Sequence, residues 1–223
     1  MKYQSAFLAV LTCGVVLLAT APVLAEDIYP PEWRGEPNST LQIWEFSTDV
    51  NPAAPDVDQN PFGTAEVTVH GEFNFPLRDT WWIPEDFGHT GVWNVGGTMA
   101  IEIPNDPELR PLKKIRLQMT YDGGPSTEPD PWIEVIASDG AAVTDFQLVA
   151  KTALDDIYSH AVYDLELAPN PSMETIYIQP RFCQVYIDEI VVDTICVPEP
   201  STVLLLVIGA AGLAVCALRR RGR

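Results

Sequence analysis

Between about Asp27 and Thr194, short segments with apolar residues at every second position alternate with stretches rich in proline and glycine, and no 3.6-residue apolar period persists over twelve residues. This restricts the chain to β-structure, because successive side chains of a strand point to opposite faces whereas a helix repeats every 3.6 residues. Leu112–Tyr121 sets Ile115, Leu117, Met119 and Tyr121 against Lys114, Arg116, Gln118 and Thr120. Thr64–His70 sets Ala65, Val67 and Val69 against Glu66, Thr68 and His70. Both patterns predict half-buried strands. Further strands are expected within Ser39–Thr48, Gly91–Ile103 (broken by a Gly96-Gly97 turn), Trp132–Ala137, Thr144–Lys151, His160–Leu167, Glu174–Ile178 and Cys183–Thr194. The last carries the β-branched runs Val185-Tyr186-Ile187 and Ile190-Val191-Val192.

Between the strands, Asn51–Phe62 and Asp122–Pro131 read as loops. Phe73–Gly91 reads as irregular and aromatic, and Leu154–His160 as one short helical turn. Asp27–Asn38 reads as an extended lead segment with Trp33 as its packing anchor. With roughly ten strands, short Pro/Gly turns and almost no helix, the expected fold is all-β: an antiparallel β-sandwich, jelly-roll-like. An immunoglobulin-type sandwich is the runner-up, but its Cys…Trp…Cys pattern is missing.

The two ends follow different rules. At the N-terminus, Lys2 precedes an apolar stretch from Ala6 to Ala21, and Val23-Leu24-Ala25 forms a small-x-small site before Glu26-Asp27. Residues 1–25 are therefore expected to be a signal peptide cut by signal peptidase between Ala25 and Glu26. At the C-terminus the order is Pro198-Glu199-Pro200, an uncharged run, then Arg219, Arg220, Arg221 and Arg223. The prolines keep the tripeptide extended and open to a processing enzyme. Residues 203–218 are expected to enter the membrane as a helix, with the arginines holding the terminus on the cytoplasmic side. That helix would be ~24 Å long against a ~30 Å hydrocarbon core, which suits a transient anchor.

This three-part terminus, residues 197–223, resembles the PEP-CTERM sorting signal of bacterial envelope proteins. The resemblance implies recognition by a membrane enzyme of the exosortase type and passage to the cell surface or extracellular matrix. Residues 26–196 are then the ectodomain, long enough for one good core. It carries 8 basic against 30 acidic residues, a net charge of −22. No nucleic-acid partner is expected of such a surface, which lacks the basic patches that phosphates require.

Cys183 and Cys196 are the ectodomain's two cysteines. The strand between them would hold them ~40 Å apart, so no bridge is expected. His70, His89 and His160 are the histidines, and no GxSxG or HExxH motif accompanies them. No enzyme activity is expected, and a polysaccharide hydrolase or lyase is the least favoured alternative, because thirty acids guarantee some pair of carboxylates. Asp56–Asn60 and Asp122–Gly124 have calcium-like composition but not EF-hand spacing. Trp81, Trp82 and Trp93 are the candidate aromatic platform for an extracellular polysaccharide.

The segment Tyr186-Ile187-Asp188-Glu189-Ile190-Val191-Val192 resembles the closing strand of jelly-roll domains related to carbohydrate-binding modules. That resemblance implies a structural calcium held by Glu26, Asp27 and Asp188. The resulting expectation is an exported, surface-sorted, non-enzymatic envelope or matrix protein, with a glycan-binding module as the alternative.

Overall fold

The computed structural model describes residues 27–71, 79–123 and 130–198. These form twelve strands in two antiparallel sheets packed face to face. In chain order they are β1 (Ser39–Trp44), β2 (Val57–Gln59), β3 (Glu66–His70), β4 (Trp81–Asp86), β5 (His89–Val95) and β6 (Thr98–Pro104), followed by β7 (Leu112–Tyr121), β8 (Trp132–Ala137), β9 (Ala142–Ala153), β10 (Ser159–Ala168), β11 (Met173–Gln179) and β12 (Val185–Val197). The first sheet runs β2-β1-β12-β7-β10-β9, and the β4–β5 hairpin joins it through β12. The second runs β3-β6-β11-β8.

β12 is the hub. β7 lies along one flank from Leu112 to Tyr121, while β1 pairs with residues 190–195 on the other flank and β5 with residues 185–187. A bulge between Ile187 and Glu189 separates these two pairings and places Asp188 and Glu189 between core-facing Ile187 and Ile190. The core lies between the sheets and is built by the alternating residues of Leu112–Tyr121, Ser159–Ala168 and Val185–Val197, facing Val67, Val69, Met99, Ile101, Ile103, Ile176 and Ile178. β1 divides its apolar residues: Trp44 enters this core, whereas Leu41 and Ile43 join Val191 and Val57 on the outer face.

The lead segment crosses that outer face. Its anchor is Arg34 rather than Trp33, which stays half-exposed: Arg34 bonds Asp193 and Asp27, Tyr29 N donates to Gln118 Oε1, and the Tyr29 ring stacks on His160 at 6.2 Å. Three further expectations are corrected. The irregular stretch holds the regular hairpin β4–β5, and the Asn51–Phe62 loop contains β2. Leu154–His160 is no helical turn but the β9–β10 reversal, where the Asp155 carboxylate accepts the N–H groups of Ile157 and Tyr158. No helix long and apolar enough to cross a membrane occurs among the described residues, and the expected span 203–218 lies outside them.

Candidate functional site

The three tryptophans of the candidate platform come together. Trp82 and Trp93 stand opposite each other across β4 and β5, with Trp81 next to them. Their exposures differ sharply: Trp81 is 45% exposed, Trp82 half-buried and Trp93 buried. Trp82 Nε1 donates to the Phe46 carbonyl at 2.8 Å, so this ring is a structural tie. Trp93 Nε1 is buried with no hydrogen-bond partner among the described residues. All three border a recess of about 350 Å³, closed on the other side by Asp49, Asn51, Val69, Gly71 and Thr80.

Asn51 shapes that wall. Its side chain donates to the Val69 carbonyl at 2.7 Å and accepts the Val69 N–H at 2.9 Å, which fixes the amide against β3. Thr80 Oγ1 likewise accepts the Gly96 N–H at 3.0 Å. The recess thus offers an exposed indole face and the Asp49 carboxylate. This chemistry suits a neutral, hydroxyl-rich or cationic ligand and opposes an anionic one.

The carboxylates implied for calcium have separate partners. Asp27 bonds Arg34 and Gln118, Asp188 bonds His89, and Glu26 lies outside the described residues. Among the described residues no three His, Cys, Asp or Glu side chains gather as a metal site. Asp188 belongs instead to a clamp around His89. Nδ1 meets Asp188 Oδ2 at 2.7 Å, Nε2 meets Asp155 Oδ2 at 3.3 Å, and the ring stacks on Tyr158 with centroids 3.9 Å apart. Burial alone would lower the imidazole's pKa, but the bonds and charges of the two aspartates raise it overall. Burial also raises the Asp188 carboxyl, against the opposing pull of His89. The short Nδ1 contact favours the paired, charged imidazolium.

A second aromatic concavity was not legible in the sequence. At the edge where β8 and β9 leave the sandwich open, Trp132, Phe146, Leu148 and Tyr163 line a cavity of about 400 Å³. Arg181 sits over the Trp132 ring, 5.7 Å from its centroid, and continues into a neighbouring cavity of about 570 Å³ bordered by Phe182 and Tyr186. Trp132 is exposed on β8, and Phe146 and Leu148 are exposed on β9, a strand whose residues are exposed on both faces; apolar residues in such strands read as core in the sequence.

The terminal candidates bracket the described chain. Ala25, Glu199, Pro200 and Arg219, Arg220, Arg221 and Arg223 lie outside it, and Pro198 is its last residue. β12 runs to Val197, so the last strand of the core sheet leads into Pro198 without a linker. Cys183, just before this strand, and Cys196, within it, are free thiols, the first exposed and the second buried.

Compared with known proteins, residues 197–221 match the PEP-CTERM protein-sorting motif. The chain thus carries the sorting signal of exported proteins that are processed by exosortase and sorted to the cell surface. No curated protein and no solved structure matches the chain.

Proposed function

We propose that this chain is a non-enzymatic component of a bacterial envelope or extracellular matrix, displayed as a jelly-roll-like β-sandwich. In this reading signal peptidase cuts after Ala25. The apolar stretch 203–218 then holds the chain in the membrane until an exosortase acts at Pro198-Glu199-Pro200. The observation that carries the reading is the sorting motif joined directly to β12. A domain whose last core strand ends at the processing point is delivered whole, with no spare segment between display site and fold. The ectodomain charge of −22 keeps such a surface soluble and repels anionic neighbours.

Intact-mass analysis of envelope and medium fractions tests it. A species beginning at Glu26 and ending near Pro198 is expected. A mature species still carrying Arg223 overturns the proposal and makes the terminus a permanent anchor.

The recess beside Trp81 favours a second reading, a glycan-binding module. Sugar rings stack their apolar faces on exposed indoles, and a nearby carboxylate accepts hydroxyl hydrogen bonds. Titration of the exported protein with neutral polysaccharide tests this. Saturable binding weakened by Trp81→Ala supports it, and no heat of binding for any neutral glucan or galactan overturns it.

A further inference from the structure

Three strands carry their apolar alternation into a polar residue at the same end of the sandwich. Ile101 and Ile103 lead on to Asn105, just past β6. Ile115 and Leu117 are preceded by Lys113, and Ile176 and Ile178 by Glu174. The period of two turns all three side chains inward, between the sheets. Lys113 and Glu174 have no exposed side-chain surface, and Asn105 is 5% exposed.

The contacts among them form a closed set. Lys113 Nζ donates to Asn105 Oδ1, and Asn105 Nδ2 donates to Glu174 Oε2. The second carboxylate oxygen, Oε1, lies 2.6 Å from Nζ as an ion-pair contact off the direction of a hydrogen bond. One carboxyl group therefore touches both nitrogens, and the lysine nitrogen stands beside the oxygen bonded to the amide carbon. The Asn105 backbone is held as well, its N–H donating to the Ser172 carbonyl at 3.0 Å.

We propose that Lys113 and Asn105 join in an intramolecular isopeptide bond, with Glu174 carrying the protons. Nζ first passes a proton to the Glu174 carboxylate, which discharges two groups that water does not reach. The free amine attacks Cγ of Asn105, forming the C–N bond. Glu174 gives its proton to Nδ2 and takes a second one from Nζ. The carbonyl re-forms as the Cγ–Nδ2 bond breaks, and Nδ2 leaves with that electron pair as ammonia. Net, an amine and an amide give a secondary amide and ammonia, with no oxidant or other reactant. The fold supplies what the same groups lack in water: fixed approach of nucleophile to carbonyl and a positioned acid–base.

The bond would tie the end of β6 in one sheet to the start of β7 in the other. Lys113 pairs in register with Cys196 of β12, two residues before Pro198. The covalent tie would therefore stand where a chain held by its C-terminus takes up load.

Denaturing mass spectrometry of the full chain, followed by digestion with a Glu-specific protease, tests the proposal. Cleavage after Glu108 separates Asn105 from Lys113 in the sequence, so an isopeptide bond leaves the two pieces joined and lighter by one ammonia. Lys113→Met and Glu174→Gln should each restore separate pieces and the full mass; the wild-type digest alone already decides, should either variant fold poorly. Separate wild-type pieces with full mass overturn the proposal. So does an ammonia loss that survives Lys113→Met, which would instead mark a succinimide at Asn105-Asp106.

Discussion

Arg34 grips Asp193 with two nearly parallel hydrogen bonds: Nε reaches Oδ1 and Nη2 reaches Oδ2, each at 2.6 Å. The partners lie 159 residues apart, one in the lead segment and one in the central strand. Asp193 has no exposed side-chain surface, so its charge depends on this guanidinium and on the nearby Arg116. Removing one member of such a pair leaves a buried charge uncompensated. Arg34→Ala should lower unfolding stability by about 2–4 kcal/mol, the lower part of that range reflecting the partial exposure of Arg34. Arg34→Lys should recover only part of this, because an ammonium cannot make the forked contact. Urea titration of the three proteins measures both effects.

Gly91, within β5, packs against the backbone that follows β1 at a position that excludes a side chain. Its φ is +81°, and a Cβ there would run into the Phe46 carbonyl and the backbone of Glu45. Gly91→Ala should cost roughly 2–4 kcal/mol, combining left-handed strain with the clash. Gly88→Ala is the control: its φ is +90° but nothing lies within reach of the added carbon, so only about 1 kcal/mol is expected. Thermal melts of the pair separate the contact from the backbone strain.

Trp81 and Trp82 should respond in opposite ways to the same substitution. Trp81→Ala removes an exposed ring and should leave stability within about 0.5 kcal/mol of wild type. Binding of a neutral glycan should weaken roughly tenfold, the value of one stacked ring. Trp82→Ala deletes a ring packed on the core and its bond to Phe46, and should destabilise the fold by about 2–4 kcal/mol. Parallel calorimetry and denaturation read the two effects.

Two histidines give the pH dependence opposite signs. His89 is raised in the fold, so its contribution is complete below the ordinary imidazole value of about 6.5 and is lost as pH rises through its higher folded value. His160 is fully buried, with Thr120 Oγ1 at 3.0 Å from Nδ1, and burial lowers its pKa. Below about pH 6.5 unfolding therefore takes up a proton at His160, and stability falls with acidification. His89→Gln should remove the stabilisation on the acid side, whereas His160→Gln should flatten the acid loss. Stability measured from pH 5 to pH 8 checks both signs.

Strand spans were readable from the alternation. Leu112–Tyr121 and Trp132–Ala137 occupy the expected spans, because core-facing residues recur at every second position. The half-buried character expected of Leu112–Tyr121 is corrected at its end: Gln118 and Thr120 are fully buried, Gln118 against Tyr29 and Asp27 of the lead segment and Thr120 against His160. The β4–β5 hairpin was not readable. Pro84 argues against a strand, yet it sits in a strand that, among the described residues, pairs with β5 alone, where a missing N–H is tolerated. The tryptophan grouping was legible as composition, but which ring is exposed was not, since that depends on what packs behind the hairpin. Lys113, Asn105 and Glu174 could have been found by extending each alternation one step inward. Nothing else in the sequence sets them apart, because a polar or charged residue at a strand end normally faces water.

By itself the sequence determined the all-β class, most strand positions, the acidic surface and the sorting motif at residues 197–221, because each is written in local order: period, turn residues, charge and a contiguous terminal pattern. Only the tertiary structure decided which residues meet across long separations. It set Arg34 on Asp193, His89 between Asp155 and Asp188, and Lys113 against Asn105 and Glu174. Sheet order and the bulge in β12 choose these partners, and strand pairing between distant segments leaves no local signature in either segment.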